Sequence, residues 1–142
     1  MSEENKAIIR RFFEEFVNKG DESVVDELIA EDIVDHDPQA PNIPPGPKGV
    51  KQLFADRRLA FPDLSVTVED LVAEGDKVVH RSTVTGTHKG EFMGIPPTGK
   101  PISFGSIAIF RIEDGKIVER WGEADVMGMM QQLGVIPTPG ES

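Results

Sequence analysis

The hydrophobic pattern of this chain changes its period once, at Pro62. Before this proline, apolar residues recur at the spacings of amphipathic helices. After it, apolar and polar residues alternate in runs rich in Val, Ile, Thr and Phe, which is typical of strands. Helices that precede strands, instead of alternating with them, indicate an α+β fold and argue against a parallel βαβ sheet. We therefore expect a strongly curved antiparallel sheet that wraps around N-terminal helices and leaves a cone-shaped space between them.

Three helices and one short strand are predicted in the first part of the chain. The first helix covers 4–18, where Ile, Phe and Val recur at helical spacings. A short second helix follows Asp21, which can cap it. A strand is expected at 33–37, and a loop with five prolines at 38–47. The third helix follows this loop and must end before Pro62.

Four longer strands and a last helix are predicted after this point. Two tight, glycine-containing turns and one longer loop at 89–99 separate the alternating segments. The predicted strands are 64–73, 77–88, 100–112 and 116–124. A short helix at 126–133 closes the fold.

The length and composition are those of one globular domain. The chain has 142 residues, and we predict a single domain over 1–136 with a flexible tail over 137–142. The formal net charge of −10 argues against nucleic acid or a membrane surface as a partner, because both are anionic. There is no cysteine, so disulfides and thiolate metal sites are excluded. The first residues lack the features of a signal peptide and no apolar run could span a membrane, so we expect a cytoplasmic protein.

Several segments carry motifs that occur together in one known family. They are IIRRFFEEF at 8–16 with NKGD at 18–21, DHDP at 35–38, GTHKGEFMGIPPTG at 86–99, and IVERWGEAD at 117–125. In these segments the chain resembles the SnoaL-like proteins, often labelled polyketide cyclases or ester cyclases. The resemblance is specific for the family and carries little information about the substrate.

This resemblance implies a fold, an assembly and a chemistry. The fold is the nuclear transport factor 2-like α+β cone, usually a homodimer that packs the open sheet faces. The best-studied members are similar to aldol cyclases that close a ring in polyketide methyl esters without a cofactor. In those enzymes one aspartate near the end of the last long strand acts as acid and base, and the matching position here is Asp125. The fold alone does not establish an activity.

Two interpretations of Asp125 are open. Trp121, Glu123 and Asp125 alternate along the last strand, so they should point to one face. If that face is concave, the Asp125 carboxylate lies in an apolar cavity, and desolvation raises its pKa above the usual value of about 3.9. Such a carboxylate is a base that can remove a proton α to an ester or ketone. Alternatively, Asp125 merely caps the helix that follows it.

The remaining site candidates are histidines, one arginine and aromatic residues. His36 lies between two aspartates and could donate to an enolate oxygen or orient the ligand, or it could anchor the proline-rich loop. His88 could line the cavity mouth or belong to a turn. His80 and Arg81 must face opposite sides of their strand, and we expect Arg81 to face inward, where it could hold an anionic group. The predicted substrate-binding residues are Trp121, Arg81, His88, Phe12, Phe13, Phe16 and Glu123.

No spacing in the chain predicts a metal or nucleotide site. The histidines match no common ligand pattern, and there is no glycine-rich phosphate loop. We therefore expect neither a metal nor a cofactor. The leading hypothesis is a cofactor-independent acid–base enzyme that acts on a small apolar carbonyl or ester compound, with Asp125 and His36 as catalytic residues. The first alternative is a protein of the same cone fold that binds a small molecule without turnover. The second is a dimerisation module whose cone is filled by its own side chains.

Overall fold

A long N-terminal helix and a five-stranded sheet form the two main layers of the molecule. The computed structural model describes residues 2–137. Helix α1, Ser2–Arg11, continues directly into a π-helical segment, Phe12–Val17, so the predicted first helix is confirmed. The predicted single domain over 1–136 stays a prediction. Residues 138–142 of the predicted tail lie outside the described residues.

Two shorter helices and the first strand follow. They are α2, Ser23–Leu28, strand β1, Ile29–Asp35, and α3, Gly46–Ala60. Asp21 Oδ1 accepts hydrogen bonds from the backbone nitrogen and the hydroxyl of Ser23, at 3.1 and 2.6 Å. The N-cap of α2 is the next residue, Glu22, so the expected cap at Asp21 is wrong by one position. Strand β1 follows α2 directly and begins earlier than the sequence predicts. Helix α3 has Pro47 in its first turn, where a missing backbone N–H costs nothing.

The sheet contains all four predicted longer strands, with β1 added at one edge. The longer strands are β2, Ser65–Glu74, β3, Lys77–Thr87, β4, Pro101–Glu113, and β5, Lys116–Ala124. The spatial order is β1-β5-β4-β3-β2; β1 runs parallel to β5, and the other neighbours are antiparallel. Helix α4, Val126–Gln132, follows the sheet. The predicted α+β cone is confirmed. No helix within residues 2–137 combines the length and the apolar character of a membrane span.

The first helix and the inner face of the sheet enclose the main hydrophobic core. Phe12, Phe13 and Phe16 of the π-helical segment pack there against Val78 of β3 and Phe110 of β4. A second, smaller cluster joins α4 to the end of α3 and to β4. Between these two clusters the inner face of the sheet is left partly uncovered, and this uncovered part forms the site described below.

Strand β5 contains an irregularity that changes which of its side chains face inward. Arg111 of β4 lies opposite Glu119, but the next residue, Ile112, lies opposite Ile117. Val118 is therefore an extra residue, as in a β-bulge. Because side chains alternate along a strand, the extra residue inverts the alternation after Ile117. Ile117 faces the core, and beyond the bulge the even-numbered residues of β5 face inward.

Candidate active site

A large cavity lies between the inner face of the sheet, helix α3 and the proline-rich loop. Its volume is about 900 Å³, within the usual range for small-molecule sites. Its walls are mainly apolar, and the aromatic residues that line it are Phe12, Phe13, Phe54, Phe92, Phe104 and Phe110. The cone is therefore hollow and not filled by its own side chains.

One row of cross-strand neighbours on the sheet forms an open part of this cavity wall. His80 of β3 pairs with Ala108 of β4, and Ala108 pairs with Gly122 of β5. Because alanine has a small side chain and glycine has none, all three residues of this row line the cavity. Ser106 and Arg120 line the cavity on the two adjacent rows.

The surroundings of His80 keep its ring uncharged. His80 is only 3% exposed, and its Nδ1 shares a hydrogen bond of 2.6 Å with Ser82 Oγ. The ring packs against Phe13 and Phe110, with centroids 4.7 and 5.5 Å away. Burial, and to a lesser degree the positive charge of Arg120, lowers the pKa of His80 to about 4. At neutral pH the cavity wall therefore carries a neutral imidazole.

Arg120 is held in the cavity by β1 and by the chain that follows it. Its Nη1 donates to Asp35 Oδ1 at 3.0 Å and to the carbonyl oxygen of Asp37 at 3.0 Å. Its Nη2 lies over Gly122, and a β-carbon at that position would collide with the guanidinium. The absence of a side chain at Gly122 therefore creates the space in which the guanidinium of Arg120 lies.

Asp37 supplies a carboxylate to the same wall without an ion pair. Asp37 Oδ2 accepts a hydrogen bond from the backbone nitrogen of Gly122 at 2.9 Å. No Lys, Arg or His side chain pairs with Asp37 anywhere in residues 2–137, whereas Asp35 is paired with Arg120. The cavity thus combines an unpaired carboxylate, a guanidinium and a neutral imidazole with apolar walls. This combination suits proton transfer and the stabilisation of a developing oxyanion.

Comparisons with known proteins identify the family. The family model of the SnoaL-like polyketide cyclases matches residues 7–133. This chain belongs to that family. Nogalonic acid methyl ester cyclase of Streptomyces nogalater is 32% identical over 118 residues, which cover 82% of this chain and 88% of that protein. The predicted membership of the SnoaL-like cyclase family is thereby confirmed.

Solved structures of similar proteins have the same fold. TsrD from Streptomyces laurentii has a TM-score of 0.85 and 32% identity, over 96% of this chain and 98% of its own. IdmH from Streptomyces antibioticus has a TM-score of 0.77 and 37% identity, over 92% and 98% of the two chains. The SnoaL-like cyclase described here therefore matches these structures over nearly its whole length.

In this SnoaL-like cyclase, Asp125 lies outside the large cavity. Its Oδ1 accepts a hydrogen bond from the backbone nitrogen of Gly128 at 2.9 Å, so it is the N-cap of α4, and the capping interpretation is confirmed. The carboxylate is exposed and borders a depression of about 320 Å³ together with Arg81, Thr83 and Ile107. The expected desolvated position inside the cavity is wrong, because β5 ends at Ala124 and the chain turns there into α4. The catalytic role stays a prediction.

His36 and Trp121 lie on the outer face of the sheet. Their rings stack at a centroid distance of 4.8 Å and an interplanar angle of 6°. His36 Nε2 lies 2.6 Å from Glu119 Oε2, so its partner is this glutamate and neither of its aspartate neighbours. Neither ring lines the cavity. The bulge at Val118 turns Glu119 and Trp121 outward, and His36 lies on the same face because it contacts both of them. The expected inward position of both residues is wrong.

Arg81 and His80 have the orientations opposite to those expected. Arg81 is exposed and forms an ion pair of 2.6 Å with Asp70 on the outer face, whereas His80 faces inward. His88 is fully buried beside Phe61; its Nδ1 accepts from the backbone nitrogen of Thr98 at 3.2 Å, and it does not line the cavity. The expected inward orientation of Arg81 is therefore wrong, and the sheet contributes a neutral ring where we expected a cation.

Three of the predicted binding residues do border the cavity. Phe12 and Phe13 form part of its apolar wall, and Glu123 is exposed at its rim. Phe16 is fully buried in the core between the first helix and α3, and does not line the cavity. The first helix therefore contributes to both the core and the site, as its dense run of phenylalanines suggested.

Apart from Glu123, the polar residues that line the cavity are not among the predicted site residues. These residues are Asp35, Asp37, Gln39, Asn42, Arg57, His80, Ser106 and Arg120. The two aspartates stand in the DHDP motif, in which the histidine is the predicted site residue. Arg120 stands beside Trp121, and a bulge in β5 is the only feature that makes Arg120 the inward residue of that pair. Within residues 2–137, no three His, Asp or Glu side chains gather as a metal-binding group.

Proposed function

We propose that this protein closes a ring in a small, mostly apolar carbonyl or ester compound by cofactor-independent acid–base chemistry. The observation that carries the proposal is the apolar cavity of about 900 Å³ with Asp37, Arg120 and His80 on one wall. The relative from Streptomyces nogalater is a methyl ester cyclase, which supports the same type of reaction. The alternative is a binding protein that uses the same cavity without turnover.

Asp37 is the proposed base. Its carboxylate lines the cavity and is oriented by the backbone nitrogen of Gly122 through one oxygen, which leaves the other oxygen free for a proton. Removal of a proton from the carbon α to an ester or ketone needs such a positioned base. Asp35 is less suited, because its charge is compensated by Arg120.

Arg120 and His80 are proposed to stabilise the two oxygens that become negatively charged. These are the enolate oxygen and the oxygen of the carbonyl under attack. The enolate oxygen that forms when the α-proton leaves is bound by the Nη2 side of Arg120. With the Ser82 hydroxyl donating to Nδ1, the proton of His80 is on Nε2, and this N–H donates to the carbonyl under attack. A C–C bond forms between the enolate carbon and that carbonyl carbon. The alkoxide oxygen that forms takes up the proton that Asp37 removed, so Asp37 returns to its carboxylate form and the ring-closed product is an isomer of the substrate.

Hydrogen–deuterium exchange at the α-carbon tests this proposal. β-Keto esters such as ethyl 2-methylacetoacetate and ethyl 2-methyl-3-oxo-3-phenylpropanoate are incubated in D₂O, and loss of the α-proton signal is followed by NMR. The unmutated protein should accelerate exchange over buffer. Asp37→Asn keeps the acceptor for Gly122 but removes the base, so the rate should fall by about 100-fold or more. If the protein binds the esters without accelerating exchange, it is the non-catalytic binding protein.

Asp125→Asn is the matched control. Asparagine caps helices about as well as aspartate, so the fold should be unchanged, and the carboxylate that is lost lies outside the cavity. We expect this variant to exchange at the rate of the unmutated protein. Loss of exchange in Asp125→Asn together with normal exchange in Asp37→Asn would assign the base to Asp125 and contradict our assignment.

We also propose that the protein forms a homodimer through the outer face of its sheet. This face carries Val34, Val72 and Ile107, each at least half exposed, together with the stacked rings of His36 and Trp121. Exposed apolar residues that cluster on one face are typical of interaction surfaces. The cytoplasmic location stays a prediction from the sequence.

A further inference from the structure

Arg57 lines the cavity without a carboxylate partner. It lies near the end of α3, and its guanidinium faces the proline-rich loop. Nη1 and Nη2 donate to the side-chain oxygen and the carbonyl oxygen of Gln39, both at the long distance of 3.4 Å. None of the ion pairs formed within residues 2–137 includes Arg57. The other guanidinium of the cavity, Arg120, is compensated by Asp35.

The position of Arg57 is electrostatically unfavourable. Burial lowers the pKa of Arg57, and the positive charge of Arg120 lowers it further, while Asp56 opposes these effects. The chain has 25 acidic residues, yet none of those described forms an ion pair with this guanidinium. A partly desolvated charge is costly unless a counter-charge accompanies it. An anionic ligand in the cavity would supply that counter-charge.

The geometry around Arg57 also specifies the shape of the ligand. The guanidinium lies 5.5 Å from the centre of the Phe92 ring, and Phe54 and Phe104 also line the cavity. Guanidinium groups bind carboxylates through two parallel hydrogen bonds. Aromatic walls next to a free guanidinium suit a flat apolar body that carries a carboxylate.

We propose that Arg57 binds a carboxylate of the ligand and selects aromatic carboxylates over neutral esters of the same shape. This proposal rests on the proposed function in one respect, since it takes the ligand of the cavity to be the substrate. Arg57 stands on the helical wall and His80 on the sheet, so the carboxylate and the carbonyl bound by His80 are held by different walls of the cavity. Arg57 is thus a specificity-determining residue in addition to the groups on the sheet.

Binding of two matched probes, 2-naphthoate and methyl 2-naphthoate, tests this inference. Dissociation constants are measured by titration calorimetry for the unmutated protein, Arg57→Gln and Arg57→Lys. The control is Arg81→Gln, which removes a guanidinium from the outer face. The unmutated protein and the control should bind the acid about tenfold or more tightly than the ester, as expected for a charge-assisted contact. Arg57→Gln should bind both probes equally, with little change for the ester.

Three outcomes would overturn the inference. They are equal affinities of the unmutated protein for the two probes, an unchanged preference in Arg57→Gln, and no binding of either probe up to its solubility limit. If circular dichroism shows that Arg57→Gln is not folded, Arg57→Lys decides: the loss of bidentate geometry should reduce the preference about threefold or more. The two naphthalene probes do not react, so the binding assay and the α-proton exchange assay test separate proposals. A preference for the acid, with no exchange of the β-keto esters, refutes only the proposed catalysis. Exchange of the β-keto esters, with no preference for the acid, refutes only the anion site.

Discussion

The orientation of the His80 side chain depends on packing and not on the local sequence pattern. Side chains alternate along β3, so His80 and Arg81 face opposite sides of the sheet. The two preceding residues, Val78 and Val79, are both apolar, so neither side is marked as the inner one. The alternation therefore could not decide which side is inward. In the structure Val78 is fully buried and Val79 only partly, and His80 shares the face of Val78. Orientation depended here on packing against the first helix, which no local pattern reports.

The stability of the protein should depend on pH through His80. The unfolded chain binds a proton at this histidine below its ordinary pKa of about 6.5, whereas the folded protein binds it only near the lowered pKa of about 4. Because the unfolded state then holds more protons, stability falls as pH decreases from about 6.5 to about 4. The size of this effect is about 3 kcal/mol, and it is absent in His80→Gln. Urea unfolding of both proteins at several pH values measures it.

The difference between the two proteins isolates His80 from the carboxylates that titrate in the same range. At neutral pH the unmutated protein should be the more stable of the two, because glutamine packs less well against Phe13 and Phe110. As pH falls, the gap in free energy of unfolding should close or reverse. A gap that stays constant down to pH about 4 would show that the folded protein protonates His80 as easily as the unfolded chain does.

At the scale of the element, strand β5 determines which side chains form the site. Ile117 is buried, and strict alternation from it would bring Glu119 and Trp121 inward as well. The extra residue Val118 inverts this pattern and brings Arg120 and Gly122 inward instead. The sequence predicted the strand and its limits, but a single inserted residue leaves no mark on the hydrophobic pattern. The expected site on β5 was therefore on the wrong face.

Gly122→Ala should disturb the site without changing the backbone of β5. A β-carbon at this position collides with the guanidinium of Arg120, which would have to leave its contacts with Asp35 and the carbonyl of Asp37. We expect a loss of stability of about 1–3 kcal/mol, as for other overpacked sites. α-Proton exchange should fall as well, because the proposed oxyanion-binding group is displaced. Chemical denaturation and the exchange assay measure the two effects.

Gly105→Ala in the neighbouring strand β4 is the control for that substitution. A β-carbon there meets one atom, the carbonyl oxygen of Ser82, at an ordinary contact distance of 4.0 Å. Stability should change by less than about 0.5 kcal/mol, and exchange should be retained. Equal losses in Gly122→Ala and Gly105→Ala would mean that β-propensity or strand packing, and not the position of Arg120, determines the result.

At the scale of the whole molecule, the order of elements was predictable and the interior of the cavity was not. The change of period at Pro62 gave the helices, the four longer strands and the α+β class, because each depends on local spacing. The parallel pairing of β1 with β5 and the course of the proline-rich loop depend on contacts between distant segments. Asp37 lines the cavity from the short segment between β1 and that loop, and Arg57 lines it from α3. Their convergence with His80 required the tertiary structure.

The outer face of the sheet leads to a prediction about assembly. Ile107 is 50% exposed at the centre of this face, between Arg81 of β3 and Glu123 of β5. In the proposed homodimer Ile107 is buried against the partner, so Ile107→Glu places a charge in an apolar interface, where it is strongly unfavourable. Sedimentation at micromolar concentration should show twice 15.6 kDa for the unmutated protein and 15.6 kDa for Ile107→Glu.

The matched control for this prediction is Leu59→Glu. Leu59 is 75% exposed on α3, outside the sheet, so the same change of residue type there should leave the dimer intact. The single tryptophan, Trp121, stands on the outer face and gives an independent signal, since burial in a dimer should shift its emission to shorter wavelength. A species of 15.6 kDa for the unmutated protein would refute the dimer. It would leave the cavity chemistry unaffected, because every group assigned to that chemistry comes from one chain.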